Sequence, residues 1–499
     1  MAFRELWSSK RAFILASIGS AIGLGNLWRF PFKCYENGGG AFLVAYFIAL
    51  FIAGIPVLLL EISLGHKFGL AAPGAFKKVK KKFEFLGWWA VLVGFGIVTY
   101  YAVIMAWSLL YGVFSVGHKW GSDTVSFFYN DFLKLTESPH QLGSINPLIL
   151  IGLVICWILI MFSIWKGAKT VGKVVYATVV LPWILLIVFV VRGVTLPGAG
   201  IGILYYLKPV FAKLLEPSVW MAAFGQIFYS VSIGFGIMIA YSSFLPKKSD
   251  ILGSAYIIGI SDALTAFVGG FAVFGTLGYY ANLKGLPIEQ VLKGGPGLAF
   301  CTYPEVISHL PFAQIFGILF FLMLMTLAID SAFSLVEAFA ASLEDKFGIK
   351  HRTANFIASG AGLLFGIIFT FGAGMYWLDI ADHFLEHFGL IPIVLVECIV
   401  IGWFYKTNKL RKHLNDVSHG RLKGWWVWFI KIVIPVILLA LFITQLIKEI
   451  KTPYEGYPTS AIAIAGWGVV IILPIIAIIF SLIKARHDRA DEVNVEDYD

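Results

Sequence analysis

Charge is scarce in this sequence: only 13% of its 499 residues are Asp, Glu, Lys or Arg, about half the share usual in soluble domains. With 59% hydrophobic residues, a water-soluble fold would expose large apolar patches, which excludes an ordinary soluble domain. Cysteine is rarer still, with four in the chain. Cys34, Cys156, Cys301 and Cys398 are spread along the chain without C-x-x-C or metal-like spacing, which argues against a disulfide framework or a zinc site. No metal-binding His cluster, nucleophile elbow or phosphate-binding lysine motif occurs in the apolar stretches, and the glycine runs do not follow strands. An enzyme built on those motifs is therefore not expected. A cleavable signal peptide is not expected either, because the polar start Met1 to Arg11 leads into an apolar stretch with no small-residue cleavage site.

What the chain has in abundance is long hydrophobic runs. Ala41 to Leu64, Leu148 to Ile164, Val174 to Val191 and Trp425 to Ile447 can each cross roughly 30 Å of hydrocarbon as a helix. The whole pattern predicts an all-α, polytopic membrane protein of about twelve spans: 11–36, 39–65, 86–115, 146–165, 172–192, 217–245, 252–281, 312–343, 354–372, 377–404, 424–448 and 459–484. They are numbered 1 to 12 below.

Basic residues cluster after the even-numbered spans: Lys77, Lys78, Lys80, Lys81 and Lys82 after span 2, Lys166, Lys169 and Lys173 after span 4, Lys247 and Lys248 after span 6, and Lys406, Lys409, Arg411 and Lys412 after span 10. The positive-inside rule makes that side cytoplasmic, with both termini inside a cell (inner or plasma) membrane. The net charge of +9 then reflects cytoplasmic loops and calls for no nucleic acid. The acidic tail after Asp488 is expected to be solvated.

Two spans carry glycine clusters: Gly19-Ser-Ala-Ile-Gly-Leu-Gly-Asn26 in span 1 and Ser230-Val-Ser-Ile-Gly-Phe-Gly236 in span 6. A membrane helix that gives up backbone hydrogen bonds must recover them from protein, water or a ligand. Interruptions heading successive groups of five spans point to an inverted repeat with a midplane site, where freed carbonyls ligand a cation and half-helix amino ends face a carboxylate. Gly19-x-x-x-Gly23 alone reads more readily as a close-packing motif than as a site. The paired placement, with Asn26 and Ser232 adding oxygens, favours a site. Asp330, an ionisable residue inside Met323 to Ala332, is a functional candidate by its cost alone, the alternative being a packing hydrogen bond.

The run from Trp7 through Gly19 to Pro31, Asn37-Gly-Gly-Gly-Ala-Phe, Gly225-Gln-Ile-Phe-Tyr-Ser-Val-Ser-Ile-Gly-Phe-Gly236 and Ile329-Asp-Ser331 resembles the neurotransmitter:sodium symporters, in their bacterial and archaeal amino-acid transporter form. The resemblance covers nearly the whole chain. It implies the LeuT fold, the reference case for broken helices 1 and 6 in a 5+5 inverted repeat. The halves would be 1–192 and 193–416, followed by peripheral helices 11–12 at 417–484 and an acidic cytoplasmic tail at 485–499. The implied activity is sodium-coupled symport of a small neutral, hydrophobic amino acid by alternating access.

The same resemblance implies two sodium sites. The first would use Ala21, Asn26, Ser230, an oxygen of the Ser261–Asp262 pair and the substrate carboxylate. The second would use Gly19, Ile22, Leu327, Asp330 and Ser331. Tyr46, Gln226 and Ser230 match the chloride site of chloride-dependent relatives. Thr265 stands where a substituting carboxylate would fall, but Asp262 lies one turn earlier, so Asp262 is expected to supply the negative charge and make chloride unnecessary.

Implied substrate contacts are Ser20, Ala21, Leu24, Gly25, Ile97, Tyr101, Tyr229, Ser232, Phe235, Ser331 and Leu335. The carboxylate would meet the Leu24 and Gly25 amides and the Tyr101 hydroxyl, and the ammonium would meet carbonyls near Ala21 and Tyr229 and the Ser232 hydroxyl. Monoamine carriers place an Asp where this chain has Gly23, so a substrate with its own carboxylate is implied.

Gates would be Arg29 with Asp382 outside, above a Tyr101–Phe235 lid, and Arg4 with Asp345 inside, beside Trp7. Phe244 replaces a frequent tyrosine of the inner network. Gly172, nine residues before Pro182, matches a fifth-helix unwinding motif. Glu61 would accept from freed amides of span 6, Glu337 would steady the inner pathway, and Glu397 has no role assigned. A sodium-gated channel or a non-transporting sensor would keep the same sites and gates.

Overall fold

The computed structural model describes residues 6–291, 295–485 and 487–492. Arg4 lies outside them. Helix dominates and, among the described residues, the only β pairings are the isolated bridges Gly39↔Pro209 and Ile145↔Phe371.

Among the described residues, nine helices are long and apolar enough to cross a membrane. The bent pair Lys10–Ala21 and Gly25–Glu36 adds span 1, the shorter Pro147–Ser163 adds span 4, and Pro217–Ser230 with Ile237–Ser242 adds span 6. Together these are the twelve expected segments of an all-α, polytopic membrane protein. Their ends carry ordinary stop and start chemistry. The side chains of Ser9, Asn146 and Asp250 cap spans 1, 4 and 7, satisfying amides with no helical partner. Gly69, Gly285 and Gly348 close spans 2, 7 and 8 at φ near +60°.

Burial sorts the spans. In span 3 (Lys81–Val116), 89% of the most apolar window is buried, whereas spans 11 and 12 (Trp425–Gly456 and Thr459–Leu482) reach only 22%. Span 3 packs along span 8 (Ala313–Phe347) at the centre of the molecule. The exposed ridge of Val436, Leu439, Ile443, Ile447 and Ile471 on spans 11 and 12 is the kind of surface lipid covers.

Three spans are interrupted. In span 1 the helix stops at Ala21, Ile22 turns to an extended conformation, and the axis bends by 50°. In span 6 residues 231–236 leave the helix, with Ser232, Gly234 and Gly236 at φ of +56°, +80° and +72°. Glycine takes that conformation freely, but for Ser232 it costs about 1–3 kcal/mol. Span 5 divides at Val179 into Ala168–Thr178 and Val180–Val194. Pro182 has no N–H for the Thr178 carbonyl, which accounts for the position of that break.

Of the acidic tail, the described residues Asp491 and Glu492 are exposed, while the segment around them is docked. Asp488 and Ala490 are buried. Asp488 pairs with Lys77 at 2.8 Å and Lys346 at 3.2 Å, and Asp491 pairs with Lys77 at 2.7 Å. Segment 487–492 is thereby fastened to the helix Ala72–Val79 and the end of span 8, where Asp488 joins Lys77 and a Lys346 that also pairs with Glu84 at 2.6 Å.

Candidate functional site

Spans 1, 3, 6 and 8 enclose a pocket lined by Ser20, Ala21, Gly23, Gly25, Asn26, Ile97, Tyr101, Tyr229, Ser230, Ser232, Phe235, Ile237, Ser331 and Leu335. All the expected substrate residues are in this lining except Leu24, whose backbone N–H donates to the Tyr101 hydroxyl at 3.3 Å. Ile237, the first residue of the second half of span 6, was not anticipated. The freed Ser20 carbonyl accepts from the Ser232 hydroxyl at 3.0 Å and the Ser331 hydroxyl at 3.1 Å. Ser334, also unanticipated, joins the cluster at 2.8 Å from the Ser20 hydroxyl. At Gly23, a Cβ would stand 2.7 Å from Ser331 Oγ and 3.0 Å from the Tyr101 hydroxyl. No side chain fits there without displacing one of them.

Two buried carboxylates flank the pocket. Asp262 Oδ1 accepts from Asn26 Nδ2 and from the Ser230 hydroxyl, each at 2.8 Å, while Asp262 Oδ2 has no partner among the described residues. Of the Ser261–Asp262 pair, Asp262 is the member that faces Asn26. Ser261 is half-buried and its carbonyl accepts from Thr265. Tyr46 lies beside Ser230 and Asp262, and among the described residues neither its hydroxyl nor either polar atom of Gln226 has a hydrogen-bond partner.

On the other flank, Asp330 is buried against Gly19, where a Cβ would meet Asp330 Oδ2 at 2.7 Å and Val179 Cγ2 at 2.8 Å. Asp330 Oδ1 has no hydrogen-bond partner among the described residues. An orphaned carboxylate oxygen in low dielectric is costly unless a cation meets it, so both sites have the chemistry of a small hard cation's ligands. Ile22 follows the end of the first half of span 1, and Leu327 lies one turn before Asp330 in span 8. The Ser331 hydroxyl is engaged by Ser20.

A family model for the sodium:neurotransmitter symporter family matches residues 4–123 and 115–488. The chain belongs to the sodium:neurotransmitter symporter family. Similar members include an uncharacterised sodium-dependent transporter of Methanocaldococcus jannaschii, 42% identical over 92% of this chain and 93% of its own length. The sodium- and chloride-dependent GABA transporter 2 of Rattus norvegicus is 33% identical over 93% of this chain and 84% of its own. The sodium- and chloride-dependent taurine transporter of Canis lupus familiaris is 34% identical over 93% and 82%.

Both ends of the symporter's pocket are barred. At one end Trp7 is buried, its indole N–H donates to the Tyr241 carbonyl at 2.7 Å, and its backbone N–H donates to the Phe244 carbonyl at 3.0 Å. The Trp7 ring meets Tyr241 and Phe244 edge-on, so Phe244 contributes ring packing. Nearby, buried Asp345 accepts from the Ala71 amide at 2.7 Å and lies 3.7 Å from Arg489.

At the other end, the expected Arg29–Asp382 pair is long, 4.0 Å. Arg29 contacts Glu386 directly, and the Tyr100 hydroxyl donates to Asp382 at 2.7 Å. Phe235 meets Tyr229 edge-on at 6.4 Å; among the described residues no such ring contact joins it to Tyr101. Glu61 takes the freed Gly234 amide at 2.6 Å, as expected. Glu397, left without a role, is fully buried beside Glu61. Glu337 lies 3.5 Å from His351.

Proposed function

We propose that this family member is a sodium-coupled symporter of a small neutral, hydrophobic amino acid, working by alternating access. The observation that carries the reading is Gly23. Tyr101 and Ser331 fill the space beside it, so the pocket offers amide and hydroxyl donors but no carboxylate at that point. A substrate must then bring its own carboxylate, while Ile97, Phe235 and Leu335 give its side chain apolar contact and no charge partner.

Two sodium ions are transported with it. The first lies among Ala21, Asn26, Ser230, Asp262 and the substrate carboxylate, which ties ion and substrate affinity together. The second lies among Gly19, Ile22, Leu327, Asp330 and Ser331 and holds span 1 to span 8. Asp262 replaces chloride as the fixed negative charge. The halves 1–192 and 193–416 move against each other, with spans 11 and 12 peripheral and both termini cytoplasmic. Arg29 stands at the extracellular barrier and Trp7 and Asp345 at the cytoplasmic one.

Uptake into proteoliposomes tests the reading, with labelled leucine and competition by a panel of amino acids. Uphill accumulation only under an inward sodium gradient, blocked by leucine, alanine or methionine, is expected. Competition by lysine or glutamate alone would overturn the substrate assignment. Downhill flux alone would mean a channel, and binding without flux a sensor.

A further inference from the structure

We propose that Glu386, and not Asp382, is the carboxylate that closes the extracellular barrier onto Arg29. The assignment builds on the symporter reading above. Two carboxylates of span 10 (Gly374–Tyr405) compete for this guanidinium. Asp382 is held 4.0 Å away with its side chain 34% exposed, and the Tyr100 hydroxyl occupies its Oδ1. Glu386 makes the direct ion pair with its side chain only 7% exposed. A charge pair withdrawn from water is screened far less than an exposed one, and stranding either partner is costly.

Glu386 sits one helical turn further into the membrane than Asp382, inside the wide-turned stretch Leu385–Leu390. Such π stretches change which side chains face a neighbouring helix. Span 6 passes beside this point, where a Cβ on Gly225 would be in ordinary contact with Glu386 Oε1 at 3.7 Å. Behind Glu386, His387 Nδ1 lies 3.7 Å from its Oε2 and donates to the His383 carbonyl at 2.9 Å. The Nε2 of His383 is 2.9 Å from Glu449 of span 11. The carboxylate is thus backed by a fixed wall.

The pair also reaches the pocket. The Arg29 guanidinium lies 4.5 Å above the Tyr229 ring, and Tyr229 lines the pocket beside Phe235. When Glu386 holds Arg29, Arg29 presses on the aromatic roof over the substrate. Asp382, nearer the surface, keeps span 10 against span 3 through Tyr100. Glu386 is therefore a positioning residue for closure, and it connects span 10 to the first and sixth spans.

Opening is read directly from an Ile97→Cys reporter, which places a thiol in the pocket wall of a protein whose four native cysteines are buried. Its reaction with a membrane-impermeant methanethiosulfonate is timed in sodium, with and without leucine, in the parent and with Glu386→Gln or Asp382→Asn added. We expect Glu386→Gln to speed labelling about tenfold or more, and Asp382→Asn to change it less than about threefold. Retention of prebound labelled leucine should shorten in the same order.

Glu386→Asp, which keeps the charge but shortens its reach, is measured alongside. If Glu386→Gln does not fold, faster labelling in Glu386→Asp supports the assignment and parental labelling overturns it. Labelling unchanged by Glu386→Gln, or raised as much by Asp382→Asn, also overturns it. Labelling that responds as expected while the wild type, with Ile97 intact, does not retain leucine would leave the gate standing and count against the substrate reading.

Discussion

Replacing Asp262 by serine should turn a chloride-independent carrier into a chloride-dependent one. The carboxylate is fully buried, and Asn26 and Ser230, two of the proposed sodium ligands, each bond to its Oδ1 at 2.8 Å. A sodium ion held by this set would stand within about 4 Å of the negative charge. At an effective dielectric constant of about 20, unit charges at that separation attract by about 4 kcal/mol. Since about 1.4 kcal/mol is a factor of ten, loss of the charge should weaken sodium binding by up to roughly a thousandfold.

Serine also leaves space beside the Tyr46 and Ser230 hydroxyls, two donors that suit an anion. The assay is the sodium dependence of labelled leucine uptake with chloride or with gluconate as the anion. The wild type should be indifferent to the anion. Asp262→Ser should fail in gluconate and recover in part in chloride. A wild type that requires chloride, or a variant that ignores it, would refute the assignment.

Asp330→Ala should abolish sodium-dependent uptake while leaving circular dichroism and gel-filtration behaviour near wild type; normal uptake would remove Asp330 from the second ion site. Gly23→Ala forces a methyl group toward Ser331 and Tyr101, an overpacking of about 1–3 kcal/mol, so leucine binding should weaken roughly tenfold to a hundredfold, and unchanged affinity would show that the pocket has slack. The hydrogen bond from Lys77 holds the Asp491 carboxyl below the usual aspartate range. Its contribution to docking the tail is therefore complete above that range and is lost as pH falls through the lowered folded-state value. Hydrogen exchange over 487–492, corrected for intrinsic rates, should show protection at pH 7 that disappears in acid, and equal protection at both would contradict the pairing.

Much of this architecture is legible from composition, because lipid demands apolar helices of about 20 residues and leaves little choice in where they fall. The interruptions are legible for a related reason: Gly23, Gly234 and Gly236 in mid-membrane are expensive unless a break uses them, and Pro182 marks the division at Val179. Other features depend on geometry that residue types do not carry. Asp382 and Glu386 are four apart on one helix, so pattern alone favours the aspartate that matches the family, and only the wide turn and the Tyr100 bond distinguish them. Ser261 and Asp262 are adjacent, and a helix turns neighbouring side chains about 100° apart, so only one of them can face Asn26. Ser334 reads as an ordinary span residue until Ser20 is beside it. The tail reads locally as a solvated acidic run, since its lysine partners, Lys77 and Lys346, come from remote parts of the chain.

The most direct test of the account is the linkage between cation and amino acid in the purified protein. Leucine affinity should rise steeply with sodium, and sodium affinity should rise with leucine by the same factor, as a shared ligand set requires. Leucine binding of equal strength in sodium and in potassium would mean that the two broken spans do not join an ion to the substrate, and the proposed coupling would be wrong.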